Sequence, residues 1–297
     1  MLQPYDFHSL IILNIFYLII ISLPILHIIH FRGNYKIPFP SIIRKFTRYE
    51  EFFMKLMFKI LNLNFLYKYK SLRFIPEAIS KLAGGIIQPS LYTLQELKAT
   101  LNQIYKNNGD FSECYSAILL RPCPCRDAQR NYSTKLPNVT DVLFTTNKKE
   151  IKKNKNNIFI TKEQLFKRLD YFDEMGLMHI VLGCMGQEGY GLNICNCHKS
   201  VCFVLKAVIG RGIQGGLKKS SKIAVVNAEK CKGIEDCGKC LTRCQFNARE
   251  ARDNKGAVIE EICYGCGLCA NSCPEKATTM IARKHYHPGY IPIMWLK

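Results

Sequence analysis

Two strings of four cysteines near the C-terminus constrain this chain more than any other feature. Cys231, Cys237, Cys240 and Cys244 form the first; Cys263, Cys266, Cys269 and Cys273, followed by Pro274, form the second, which reads C-x2-C-x2-C-x3-C-P. Three thiolates two residues apart on a tight loop can converge on one polynuclear group, while a fourth that starts a helix points away from them. Zinc is the first rival reading, but zinc sites usually pair two C-x2-C knuckles rather than duplicate a run of four. Disulfides are the second, and the total of fifteen cysteines is odd, which excludes complete internal pairing.

The second string resembles the cysteine run of bacterial-type dicluster ferredoxins, and the resemblance extends over roughly residues 222–284. It implies two [4Fe–4S] clusters with crossed ligation, because the fourth cysteine of each string serves the other cluster. One cluster then falls on Cys231, Cys237, Cys240 and Cys273, the other on Cys263, Cys266, Cys269 and Cys244. The first string departs from the pattern twice: its first gap is five residues, Lys232 to Asp236, and Gln245 stands where proline is common. The two departures fall on different sites. A strand is expected over Lys222 to Asn227, a turn at Asn254-Lys255-Gly256 between two short strands, and a closing strand over Ala277 to Ala282.

A chain of 297 residues has room for two modest domains, each with a core. The formal charge of +19 counts every cysteine as neutral. Two cubanes at about −2 each would bring it to roughly +15. A balance this basic fits acidic lipid, acidic protein or nucleic acid, although the abundance of Ile, Lys and Asn accounts for part of it as plain compositional bias. No nucleic-acid-binding motif is present, so nucleic acid is not an expected partner.

Leu10 to Phe31 is a 22-residue apolar stretch without Asp, Glu, Lys or Arg. Its length matches a hydrocarbon core of about 30 Å, and the basic residues Arg32, Lys36, Arg44, Lys45 and Arg48 follow directly. The expectation is a single-pass transmembrane anchor over residues 1–31, with the rest of the chain in the cytoplasm, where thiols stay reduced. His27 and His30 lie in this stretch; an interfacial position suits them better than haem ligation. Residues 32–87 form a basic membrane-proximal segment. Within it, Phe52, Phe53, Leu56, Met57, Ile60, Leu61 and Leu63 make a broad apolar face, which suits either the inner leaflet or packing on the rest of the chain.

Residues 88–209 carry a second set of thiols: Cys123-Pro124-Cys125-Arg126, then Cys184, then Cys195-Asn196-Cys197-His198 and Cys202. Pro124 and Asn196 suggest exposed turns. Helices are expected over Tyr92 to Tyr105, after a Thr161/Gln164 capping box, and over Ser200 to Val208. Strands are expected at Ala117 to Arg121, Asp141 to Thr145 and Met178 to Leu182, and a solvated loop at Lys148 to Asn157. This region is similar to an uncharacterised cysteine-rich module that precedes ferredoxin domains in anaerobe iron–sulfur proteins. There a C-x-C-R turn, a Gly-Leu-x-His segment (Gly176-Leu177-Met178-His179 here) and a Cys-rich turn before a helix recur. Relatives carry a further cysteine downstream of the C-x-C-R turn, and this chain has none between Cys125 and Cys184. A further cluster or metal site is a candidate here, with Cys123, Cys125, Cys195 and Cys197 as ligands, Cys202 or His198 as substitutes, and Arg126 offsetting its charge.

Gly210-Arg211-Gly212-Ile213-Gln214-Gly215 matches a dinucleotide fingerprint by letter but lacks the strand before it and the helix after it. Residues 210–221 are therefore read as a flexible linker to a ferredoxin domain over 222–297. The expected fold class is α+β: transmembrane helix, Cys-rich α/β module, and ferredoxin-like dicluster domain. The expected function is one-electron transfer with a redox partner protein: a reductase, a dehydrogenase or a soluble carrier. The alternatives are an electron-transfer subunit of a membrane oxidoreductase complex, or a membrane-tethered redox or iron sensor. No catalytic set is visible.

Overall fold

A computed structural model describes residues 50–69, 71–107, 117–132, 135–145, 158–184 and 191–286. The fold is α+β. It starts with three helices, α1 (Glu50–Leu61), α2 (Phe65–Lys68) and α3 (Phe74–Ile87). The expected transmembrane helix, and with it the membrane location, is corrected here. Among the described residues no helix is long and apolar enough to cross a membrane. The longest, including the 14-residue α3, reach about 21 Å at 1.5 Å per residue, short of a hydrocarbon core of about 30 Å. Leu10 to Phe31, with His27 and His30, lies outside the described residues. One side of α1 turns inward: Phe58 and Leu61 are buried against Ala207 and Ile213, and Phe58 meets Phe203 edge to face at 5.3 Å, while Phe52 and Leu56 stay exposed.

The middle of the chain builds a six-stranded antiparallel sheet. In sequence its elements are β1 (Ser90–Tyr92), α4 (Leu94–Asn107), β2 (Ala117–Pro122), α5 (Pro124–Gln129), β3 (Val139–Thr145), β4 (Ile158–Phe159), α6 (Lys162–Glu174), β5 (Met178–Cys184) and β6 (Gly191–Cys197). The strand order is β1-β5-β6-β3-β2-β4. Period-2 alternation sorts the side chains. Leu120, Val142, Phe144, Val181 and Ile194 point to one face and pack under Leu97 and Leu101 of α4 and Leu165, Leu169 and Phe172 of α6. The expected capping box starts α6: the Gln164 amide donates to Thr161 Oγ1, and the Thr161 amide donates to Gln164 Oε1 at 2.9 Å. A second box, Thr93 with Glu96, starts α4.

The opposite face carries Met178, Ile180 and Cys197. It packs on a short helix α7 (Phe203–Leu205), which continues as a π-helical turn over Lys206–Gly210, and on the C-terminal region. That region contains β7 (Lys222–Val226), α8 (Lys239–Arg243), β8 (Arg249–Arg252), β9 (Lys255–Val258), α9 (Leu268–Asn271) and β10 (Thr278–Ala282). β10 pairs antiparallel with β7, and β8 with β9. The β8–β9 turn falls at Asp253 and Asn254, both at positive φ, one residue earlier than the spacing suggests.

Residues 210–221 do not hang free. Lys218 exchanges backbone hydrogen bonds with Pro89 and Leu91, and Glu96 accepts from the hydroxyls of Ser220 and Ser221. One apolar core therefore runs from the sheet into the C-terminal region, joining Leu91, Met178, Ile180 and Leu205 to Ile223, Phe246, Cys263, Cys266, Leu268 and Cys269.

Candidate functional site

The eight cysteines of the two strings gather in two groups of four. Cys231, Cys237, Cys240 and Cys273 line one cavity together with Gly233, Ile234, Arg249, Pro274 and Thr278. Cys263, Cys266 and Cys269 are buried, with Cys244 beside them and electrostatically in reach of all three. Each string places a left-handed glycine between its second and third cysteines: Gly238 (φ +56°) caps α8 and Gly267 (φ +85°) caps α9. A side chain at that conformation would be strained, so both positions call for glycine if the loop is to turn its thiols inward.

Backbone and burial treat the two groups differently. The amide of Gly256, and then that of Gly233, donates to Cys231 and holds its thiol below the ordinary value. In the second group burial dominates: Cys269 is pushed up to about 12 and Cys266 well above its ordinary value. Cys244 is raised by burial in spite of amide donation from Ala248, 3.2 Å away, and from Phe246. Buried thiols of this kind carry protons at neutral pH unless a metal takes their place.

Arg249 stands between the groups. It lines the first cavity and acts electrostatically on Cys231, Cys244 and Cys269. Its Nη2 donates to Thr278 Oγ1 at 3.2 Å, while Nε and Nη1 are buried and have no hydrogen-bond partner among the described residues. A buried guanidinium with orphaned donors fits an anionic group held among these thiols. Gly256 fits it as well, since a Cβ there would come within 3.1 Å of the Cys240 sulfur. The sequence did not point to Arg249, which β8 carries inward. No local pattern marks that residue as buried.

The C-terminal region is held on the sheet domain by polar contacts from residues next to the cysteines. Gln245, in the place where proline is common, is buried. Its amide nitrogen donates to the Gly176 carbonyl at 2.6 Å, and its amide oxygen accepts from the Lys199 amide at 2.7 Å. Asn271 on α9 donates to both carboxylate oxygens of Asp173 at 3.0 Å. Arg243 donates to the Glu174 carbonyl.

The second thiol set converges too. Cys123 and Cys125 open α5, Cys195 and Cys197 lie on β6, and Cys202 precedes α7. Cys195 and Cys197 are on a strand, not on an exposed turn, and the intervening Asn196 is buried. An asparagine serves there because its amide meets both needs of a closed interior: the oxygen pairs with His179 Nδ1 at 2.7 Å, and the nitrogen donates to the Thr140 carbonyl at 2.7 Å. His198 pairs with Ser200 and is not a contact of these thiols. The side chain of Cys184 lies outside what the structure describes.

Comparison with known proteins adds little. No protein-family model matches the chain. A stretch of 74 aligned residues, 21% of the chain, is 31% identical to translation initiation factor RLI1 of Chaetomium thermophilum, and spans 12% of that protein. With fifteen cysteines, the chain is cysteine-rich.

Proposed function

We propose that this chain is a one-electron carrier working through two [4Fe–4S] clusters, one on Cys231, Cys237, Cys240 and Cys273 and the other on Cys263, Cys266, Cys269 and Cys244. The observation that carries this reading is the gathering of the two cysteine strings into two crossed groups of four, with the orphaned donors of Arg249 between them.

When bound, each cluster supplies a one-electron couple. The chain's own residues set its environment: the amides of Gly256 and Gly233 donate to Cys231, those of Ala248 and Phe246 to Cys244, and Arg249 contributes buried positive charge. The first group is half-buried throughout, whereas three of the four in the second, Cys263, Cys266 and Cys269, are buried. A redox partner protein therefore docks over the first group, beside the exposed lysines Lys230, Lys232 and Lys239.

The test is anaerobic reconstitution of the full chain followed by voltammetry and electron paramagnetic resonance. Reversible one-electron waves are expected, with Cys237→Ala and Cys266→Ala each abolishing a different [4Fe–4S] signal. Bound clusters that exchange no electrons, or signals untouched by either substitution, would refute the carrier.

A further inference from the structure

The five remaining described cysteines form a chain of contacts. Cys123 contacts Cys125, Cys125 contacts Cys202, Cys202 contacts Cys197, and Cys197 contacts Cys195, each through a side-chain hydrogen bond. Cys195 also lies within electrostatic reach of Cys123. Three distant parts of the chain supply them: the β2–α5 junction, strand β6 and the turn before α7. Five thiols packed against one another are a poor core on packing grounds alone, since apolar side chains of similar size fill such space without polar hydrogens to satisfy.

One of the five is engaged elsewhere. Cys195 Sγ donates to Asp141 Oδ1 at 3.1 Å, and the other oxygen of that buried carboxylate accepts from Arg121 Nε. The remaining four, Cys123, Cys125, Cys197 and Cys202, donate to no carboxylate among the described residues, although Asp141 is within electrostatic reach of Cys123. Arg126, buried at the start of α5, donates its side-chain hydrogen bonds to neutral oxygens, Asn138 Oδ1 at 2.8 Å and the Leu136 carbonyl. It makes no salt bridge among the described residues, and its backbone amide donates to the Cys123 sulfur. Soft thiolates gathered from three segments suit an iron–sulfur group, with a single zinc ion as the rival that a metal count separates.

We propose that Cys123, Cys125, Cys197 and Cys202 hold a third iron–sulfur cluster, with Cys195 beside it as a hydrogen-bonded thiol and not a ligand. The site shares an apolar core with the second cysteine group: Cys197 and Cys202 pack in the same cluster of buried residues as Cys263, Cys266 and Cys269. It differs from the ligand set suggested by spacing alone, in which Cys195 is a ligand and Cys202 a substitute.

The experiment measures iron, zinc and sulfide in the full chain after anaerobic reconstitution, for wild type, Cys202→Ser, Cys195→Ser and Cys266→Ala. The wild type should hold about four iron atoms beyond the eight of the two-cluster motif. Cys202→Ser should lose that excess while both ferredoxin-type signals persist. Cys195→Ser should keep it, and Cys266→Ala should keep it while losing a ferredoxin-type signal, which separates failure at this site from failure at the strings. A wild type with no iron beyond the strings, or with one zinc in place of the excess, would overturn the proposal. So would an excess that depends on Cys195 and ignores Cys202. The wild-type count decides the matter even where a variant does not fold.

Discussion

Replacing Gln245 with alanine isolates the contact that seats the C-terminal region on the sheet domain. The side chain makes two short hydrogen bonds, to the Gly176 carbonyl and from the Lys199 amide, and is only 5% exposed. Each bond contributes about 0.5–1.5 kcal/mol net, and a partner left buried and unsatisfied adds to the cost. Lys199 is exposed, so water can reach its amide; the Gly176 carbonyl faces the interface and is harder to rehydrate. The sum is about 2 kcal/mol of lost stability, read as a lower denaturant midpoint for the anaerobic holoprotein, with the slope unchanged. Gln245→Glu should cost more, because it keeps the acceptor for Lys199 but sets a carboxylate oxygen against the Gly176 carbonyl. Iron content should not change in either variant, since Gln245 touches no sulfur. A loss below about 0.5 kcal/mol for Gln245→Ala, well under the two-bond sum, would refute the docking role. Iron loss without destabilisation would instead place the side chain in the cluster environment.

Two further outcomes follow from the electrostatics. Arg249→Leu should make at least one cluster harder to reduce, since it removes positive charge beside Cys231, Cys244 and Cys269; a potential that is unchanged or higher in voltammetry contradicts the placement. Cys266 and Cys269 are held above the ordinary thiol value by burial, so both are protonated at neutral pH without metal, and cluster binding must displace those protons. The sign follows: lower pH favours the protonated, metal-free state, and iron retention against a chelator should weaken from pH 7.5 to pH 6.5, on the order of tenfold per pH unit for each proton displaced. Retention independent of pH would count against thiolate ligation at this group.

Much of this molecule is legible in its sequence because local rules act over a few residues. The Thr161 capping box and the strand over Met178 to Leu182 both depend on neighbours within one turn of chain. The structure places both as the sequence suggests. Expectations fail where the decision belongs to distant partners. A Gly-rich segment resembles a loose tether, yet Pro89, Leu91 and Glu96 bind it down across more than a hundred residues of chain. Asn196 reads as a turn residue, yet His179 and Thr140 satisfy its amide inside a sheet. Burial and polar satisfaction are properties of the assembled interior. For the same reason tertiary structure alone brought Arg249 between the cysteine groups, gave Gln245 its docking role, and gathered five thiols from three separate segments.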